Sequence, residues 1–333
     1  MSNHARLYET VAALMASGKG ILAADESDGT AGKRLAQVHL PNEPEHRRKF
    51  RQLLFTAPDL EHYLSGVILY DSTIRNETDD GIPFVDVLTA RGIVPGIKVD
   101  RGTVPLHGFK EEVVTQGLDD LGERFAEYYD MGARFAKWRA VFTIEEDERP
   151  TEECIEINAI MLARYAQLAQ AAGLVPIVEP EVIHAGDHSL EQAELVTTKV
   201  LQVIFHTLQR YRVDLGGLIL KSSMVLAGDG HREQTSPEAV ANATLRTFHL
   251  SVPHQCGGIV FLSGGQSPER ATNNLNAIAQ QGEQPWPITF SFSRAIEEPF
   301  LQAWGGQAEQ ADAAQGVLRD ICARNSQASL GEL

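Results

Sequence analysis

TEECIEINAIMLARYAQLAQAAG at 151–173, VPIVEPEV at 175–182, SLEQAELVTTKVLQVIFHTLQRYR at 189–212 and GGLILKSSMV at 216–225 follow one another with few residues between them. The first and third carry apolar residues at three- and four-residue spacing, which is the pattern of a helix with one buried face. Thr151 ahead of Glu152 and Glu153 suits a helix start, and Gly173 suits a stop. Ser189 stands three residues before Gln192, the spacing of a capping box. The second and fourth are short β-rich runs marked off by Gly, Pro or polar breaks. A helix carrying the chain from one strand to the next implies parallel pairing.

The alternation continues in both directions. Further strand-like runs are GILAADES (20–27), VILYDST (67–73), PGIKVD (95–100), ARFAKWRAVF (133–142), GGIVFLSGG (257–265) and PITFSFSRA (287–295). Helical patterns fall at 44–58, 83–92, 118–132, 236–252 and 267–282, and the last two begin Ser-Pro-Glu, with Pro in the first turn. Eight such strands predict an α/β fold, a (β/α)8 TIM barrel over 1–333 as a single domain. An open doubly wound sheet is the rival, but no strand opens onto a G-x-G-x-x-G turn. In MSNHARLYETVAALMASGKG, Leu7, Val11, Leu14 and Met15 predict an amphipathic N-terminal helix ending at Gly18. From Gln307 the chain is Ala/Gln-rich and reads as a short polar C-terminal tail.

Composition excludes several functions. The 333 residues carry 29 Lys and Arg against 45 Asp and Glu, a net charge of −16, which argues against nucleic acid as a partner. No apolar run approaches the ~18 residues of a membrane span. The start lacks a signal-peptide core. Cys154, Cys256 and Cys322 are scattered, so they read as reduced thiols in a cytoplasm-like compartment and not as a disulfide framework or metal cluster.

Parallel barrel strands are covered on both faces and should be almost wholly apolar. Seven of these runs instead carry charge near their C-terminal ends: Asp25, Asp71, Lys98 with Asp100, Lys137 with Arg139, Glu179 with Glu181, Lys221, and Arg294. Those ends form the catalytic face of such a barrel. Alternation puts Lys137 and Arg139 on one face, and likewise Glu179 and Glu181. Structural ion pairing is the plain alternative, but so many ionisable groups in one dry mouth is how chemistry is tuned. A lysine such as Lys221, set among apolar residues near a second cation, gives up its proton more easily and attacks carbonyls. Glu179 or Glu181 is placed to shuttle protons, with Lys137 as the neighbouring cation and Asp25 as a second base. Ser263-Gly264-Gly265 before a helix suits phosphate, with Arg294 completing the site. Lys33-Arg34 is a second anion-binding candidate, so the substrate expected is a bisphosphorylated carbonyl compound.

These runs, in order, resemble the class I, Schiff-base-forming fructose-bisphosphate aldolase family over nearly the whole chain. They are KGILAADES (19–27), AGKRL (31–35), GIKVDRG (96–102), FAKWRAV (135–141), IVEPEV (177–182), LILK (218–221), FLSGGQS (261–267) and FSFSRA (290–295). The resemblance implies cleavage of fructose 1,6-bisphosphate to dihydroxyacetone phosphate and glyceraldehyde 3-phosphate, without a metal or other cofactor. It implies Lys221 as the Schiff-base lysine, Glu179 as the acid/base of imine formation and Asp25 as the base on the C4 hydroxyl. Lys137 and Glu181 assist them. Ser263, Gly264, Gly265, Ser291 and Arg294 then hold the phosphate nearest the ketone. Ser27, Thr30, Lys33, Arg34 and Lys98 surround the other, and Arg139 contacts substrate. The family implies a cytoplasmic homotetramer serving sugar breakdown or synthesis, that is glycolysis, gluconeogenesis or the Calvin cycle.

This sequence departs from the family in three places. Ser222-Ser223 replace a usual Pro-Asn after the lysine, and Ser293 replaces a usual Gly before Arg294. The familiar animal enzymes end in a longer tail with a terminal Tyr, whereas this chain ends Ser329-Leu330-Gly331-Glu332-Leu333, so slower carbanion protonation is expected. Other readings of the set are an aldolase acting mainly on sedoheptulose 1,7-bisphosphate, a non-catalytic barrel scaffold, and a metal enzyme using His184 and His188. Gly186 lies between those histidines, so the segment reads as a solvent-facing loop.

Overall fold

The computed structural model describes residues 2–145 and 148–333. Among these residues the strands are β1 (Gly20–Ala23), β2 (Leu64–Leu69), β3 (Val94–Lys98), β4 (Thr103–Pro105), β5 (Val113–Thr115), β6 (Phe135–Phe142), β7 (Val175–Val182), β8 (Ile219–Ser222), β9 (Gly258–Phe261) and β10 (Ile288–Phe290). All but β4 and β5, which pair as an antiparallel hairpin, join one parallel eight-stranded sheet in chain order. Ala23 N donates to Phe292 O at 2.9 Å across the remaining gap and closes the barrel.

Side-chain alternation divides each strand between two cores. Inward-facing Ile21, Ala23, Ile68, Phe135, Val175, Ile177, Ile219 and Val260 fill the barrel floor. The helix Asn3–Leu14 plugs that floor with Leu7, Val11 and Leu14. Outward-facing Leu22, Val67, Trp138, Val178, Leu220 and Phe261 pack beneath the surrounding helices. Close packing inside the barrel leaves no room for a side chain at Gly96, where a Cβ would meet the Phe135 ring at 2.3 Å.

The expected helix starts are present. Thr151 caps Glu152–Ala171, and Ser189 with Gln192 forms a complete capping box on Leu190–Arg210. Ser236 and Ser267 cap Pro237–Ser251 and Pro268–Ala279, each with Pro in its first turn.

The structure corrects four expectations. Residues from Gln307 on are not a polar tail: Ala311–Leu330 is a helix that buries Ala314, Leu318, Cys322, Asn325, Ser326 and Ala328. That buried stripe contains one large aliphatic side chain, so it has almost no hydrophobic periodicity to detect. Its polar members are satisfied locally, with Ser326 Oγ donating to Gly18 O at 2.5 Å and Thr272 Oγ1 to Asn325 Oδ1 at 2.8 Å. A helix over Asp28–Ala36, capped by Ser27, precedes Pro44–Thr56. Asp71 and Arg294 are not on strands: each opens a helix, Asp71–Ile74 and Arg294–Trp304. Finally, the His184–His188 segment does not simply face solvent, because His188 is buried. Cys154, Cys256 and Cys322 are all buried free thiols.

Candidate active site

The alternation that builds the floor also builds the site. In β6 the inward series is Phe135, Lys137, Arg139; in β7 it is Val175, Ile177, Glu179, Glu181; in β8 it is Ile219, Lys221. Asp25 continues the inward series of β1 two residues beyond Ala23. Each series changes from apolar to charged where it leaves the plugged floor. The charged ends line a cavity of about 820 Å³ at the C-terminal mouth.

Four buried side chains form one row across this mouth. Lys137 Nζ lies 2.7 Å from Asp25 Oδ2 and 2.8 Å from Glu179 Oε2. The other oxygen of Glu179 lies 3.1 Å from Lys221 Nζ. Burial of a lone charge costs several kcal/mol, and here two carboxylates and two lysines offset each other's charge. Burial by itself raises the Glu179 carboxyl pKa, but Lys137, then Lys221 and Arg139, outweigh it and hold the group at about 2. Burial by itself lowers the Lys137 ammonium pKa, but Asp25 and Glu179 outweigh it and push the value well above that of a free lysine. Lys137 therefore stays a cation, and Glu179 a carboxylate in contact with a second amine.

A more open tier lies above this row. Arg139 Nε donates to Glu181 Oε2, and Lys98 Nζ lies 2.7 Å from Asp100 Oδ1. Asp100 Oδ2 also accepts from the Arg139 backbone N–H at 3.3 Å, so Asp100 ties β3 to β6.

The phosphate candidates line the cavity in two groups. After β9, Ser263, Gly264 and Gly265 line it, with φ of +58° at Gly264 and +87° at Gly265. Two successive left-handed residues turn the backbone sharply, and glycine adopts that conformation without steric cost. Ser291 is buried in the same wall, and its Oγ has no partner among the described residues. Arg294 joins this wall from the first turn of its helix. From the segment after β1, Ser27 and Thr30 line the cavity at the start of Asp28–Ala36, where Ser27 Oγ accepts from Thr30 N. Lys98 and Arg34 line it as well, but Lys33 is exposed on that helix and is not part of the lining.

Sequence reasoning missed the surroundings of Arg34. Its Nη1 contacts Glu26 and Glu297, and Arg51 pairs with the same two glutamates from Pro44–Thr56. Glu26 was visible as the residue after Asp25, but Arg51 and Glu297 lie in helical stretches with no pattern marking them as buried. The replacements after Lys221 are accommodated by hydrogen bonding: Ser223 Oγ donates to Val182 O at 2.9 Å, and Ser222 Oγ to Ser223 O at 3.0 Å. His184 and His188 line a separate small cavity with Thr197, Met224 and Gln266. Burial, aided at His184 by Arg270 and at His188 by His184, lowers both imidazole pKa values.

The sequence pattern of the family described as fructose-bisphosphate aldolase class-I matches residues 6–333. A probable fructose-bisphosphate aldolase class 1 of Xanthomonas axonopodis pv. citri is 49% identical over 328 residues, covering 98% of both chains. The cytosolic fructose-bisphosphate aldolase 4 of Arabidopsis thaliana is 47% identical over 330 residues, 98% of this chain and 84% of that one. The fructose-bisphosphate aldolase of Plasmodium falciparum, solved in complex with TRAP and a small-molecule inhibitor, superposes with a TM-score of 0.98 at 44% identity. That match covers 99% of this chain and 95% of the other.

Proposed function

The chain belongs to the class-I fructose-bisphosphate aldolase family, and we propose that its barrel mouth cleaves fructose 1,6-bisphosphate reversibly through an imine on Lys221. The observation that carries this reading is the Glu179 carboxylate, which bridges Lys221 and Lys137 in a buried row. Lys221 Nζ adds to the C2 carbonyl of the open-chain ketose. Glu179 moves the protons that let the carbinolamine lose water, leaving an iminium ion. Asp25 removes the C4 hydroxyl proton, the C3–C4 bond breaks, and its electron pair enters the iminium to form an enamine. Glyceraldehyde 3-phosphate leaves. Protonation of the enamine at C3 and addition of water to the imine release dihydroxyacetone phosphate and free Lys221.

The other side chains hold the substrate and the charges. Lys137 keeps Glu179 ionised and stands between it and Asp25, while Glu181 and Arg139 steady the chain of the sugar. The Ser263–Gly265 turn, Ser291 and Arg294 hold the phosphate next to the ketone. Ser27, Thr30, Lys98 and Arg34 face the other one, and Lys33 adds positive charge at the rim. In this mechanism the electron sink is the iminium, so no metal is required. We further propose a cytoplasmic homotetramer; among the described residues no helix is long and apolar enough to cross a membrane.

A borohydride trap tests the mechanism. Protein mixed with dihydroxyacetone phosphate and excess EDTA, then reduced, should gain one adduct, mapped to Lys221. Lys221→Ala should abolish both adduct and turnover. A folded wild-type protein without an adduct, or a Lys221→Ala variant that keeps most of its turnover, would overturn the assignment.

A further inference from the structure

Ser293 stands between β10 and the helix Arg294–Trp304, in the wall of the active-site cavity. Its hydroxyl donates to Glu26 Oε1 at 2.9 Å and accepts from Arg34 Nη2 at 2.8 Å. Arg34 Nη1 meets Glu26 Oε1 at 2.5 Å and also contacts Glu297 Oε2. Arg51 closes the ring, with Nη1 donating to Glu297 Oε1 at 2.9 Å and Nη2 donating to Glu26. Two arginines and two glutamates thus alternate in a loop that is neutral overall. Arg51 and Glu297 are buried behind the wall, while Glu26, Arg34 and Ser293 reach the cavity.

The hydroxyl has a distinct task in this ring. Both carboxylates meet Arg34 at the same nitrogen, Nη1. A planar fork held at one corner can still swing about that corner. Ser293 holds the other corner, Nη2, and so fixes the plane. A guanidinium has five N–H donors, so Nε–H and one Nη2–H are left for a ligand. An arginine already fixed in its working geometry loses less freedom when an anion docks. The held arginine lines the cavity on the helix that begins at Ser27 and Thr30, and Ser293 joins it to the segment after β10.

We propose that Ser293 is a positioning residue: its hydroxyl, anchored on Glu26, holds Arg34 ready for the substrate phosphate farther from the imine. The proposal rests on the aldolase reading above. It makes Ser293 a determinant of preference for bisphosphates over monophosphates, because only a bisphosphate places an anion at this end of the cavity.

Steady-state kinetics with fructose 1,6-bisphosphate and fructose 1-phosphate test it. Removing a charge-assisted hydrogen bond in Ser293→Ala should raise KM for the bisphosphate about 3–10-fold. The variant's kcat, and its KM for fructose 1-phosphate, should stay within about twofold of wild type. Ser293→Thr, which keeps the hydroxyl, should restore the bisphosphate KM. Ser293→Gly provides a second deletion if the alanine variant does not fold. Equal KM changes for the two substrates, an unchanged bisphosphate KM, or a threonine variant that behaves like alanine would overturn the proposal. The borohydride trap on Lys221 separates the two failures. Wild-type protein that traps dihydroxyacetone phosphate keeps the aldolase reading even if Ser293 proves irrelevant, whereas wild-type protein that does not trap it loses both.

Discussion

Glu179 has two oxygens and two amine partners, one on each side. Lys137 holds it ionised, and the proposed mechanism gives the oxygen facing Lys221 the task of moving protons during imine formation. Glu179→Gln keeps the shape and removes the proton acceptor. We expect kcat to fall about 10²–10⁴-fold, with far-ultraviolet circular dichroism unchanged. A variant within a few-fold of wild type would place the proton transfer elsewhere. At this scale the sequence was highly informative. Lys221, Glu179, Asp25 and Lys137 stood out because charge at the end of an apolar strand is costly unless used. Lys33 was marked only as half of a Lys-Arg pair after the first strand, and it lies on the exposed face of a helix that the strand and helix patterns did not reveal.

Among elements, the turn after β9 and the helix Ala311–Leu330 make opposite demands on glycine. A Cβ at Gly265 would meet no atom within 4 Å, yet the residue has φ of +87°. Gly316 also has open space around a Cβ, but it lies inside the helix. Gly265→Ala should therefore lower unfolding free energy by about 1–2 kcal/mol through backbone strain alone, and weaken dihydroxyacetone phosphate binding. Gly316→Ala should raise unfolding free energy by about 0.5–1 kcal/mol. Urea titrations of both variants check the pair, and matching signs would refute the argument. Capped helices such as Leu190–Arg210 were legible because cap chemistry is local. Ala311–Leu330 was not, because its burial depends on small residues that fit their neighbours closely.

For the molecule as a whole, the buried carboxyls set the response to acid. Burial raises the Glu26 pKa, but Arg51 and Arg34 outweigh it, so Glu26 like Glu179 sits at about 2, below the ordinary 4.5. The unfolded chain thus takes up these protons at higher pH than the folded one. Their contribution to stability is complete above roughly pH 4.5 and is lost progressively as the pH falls toward about 2. Urea midpoints should drop across that interval, and Glu26→Gln should flatten the drop; a midpoint independent of pH there would contradict it. The sequence by itself determined the eight strand–helix units, since short β-rich runs separated by period-3.6 stretches leave parallel pairing as the solution. It also determined the row of charges at the mouth, since strand alternation orders them before any folding is known. Only the tertiary structure decided which cations are committed to structure and which face a ligand. Arg34, Arg51, Glu26 and Glu297 come from separate segments, and no local rule relates them. Their pairing exists only where the closed barrel brings the end of β1 and the three helices Asp28–Ala36, Pro44–Thr56 and Arg294–Trp304 together.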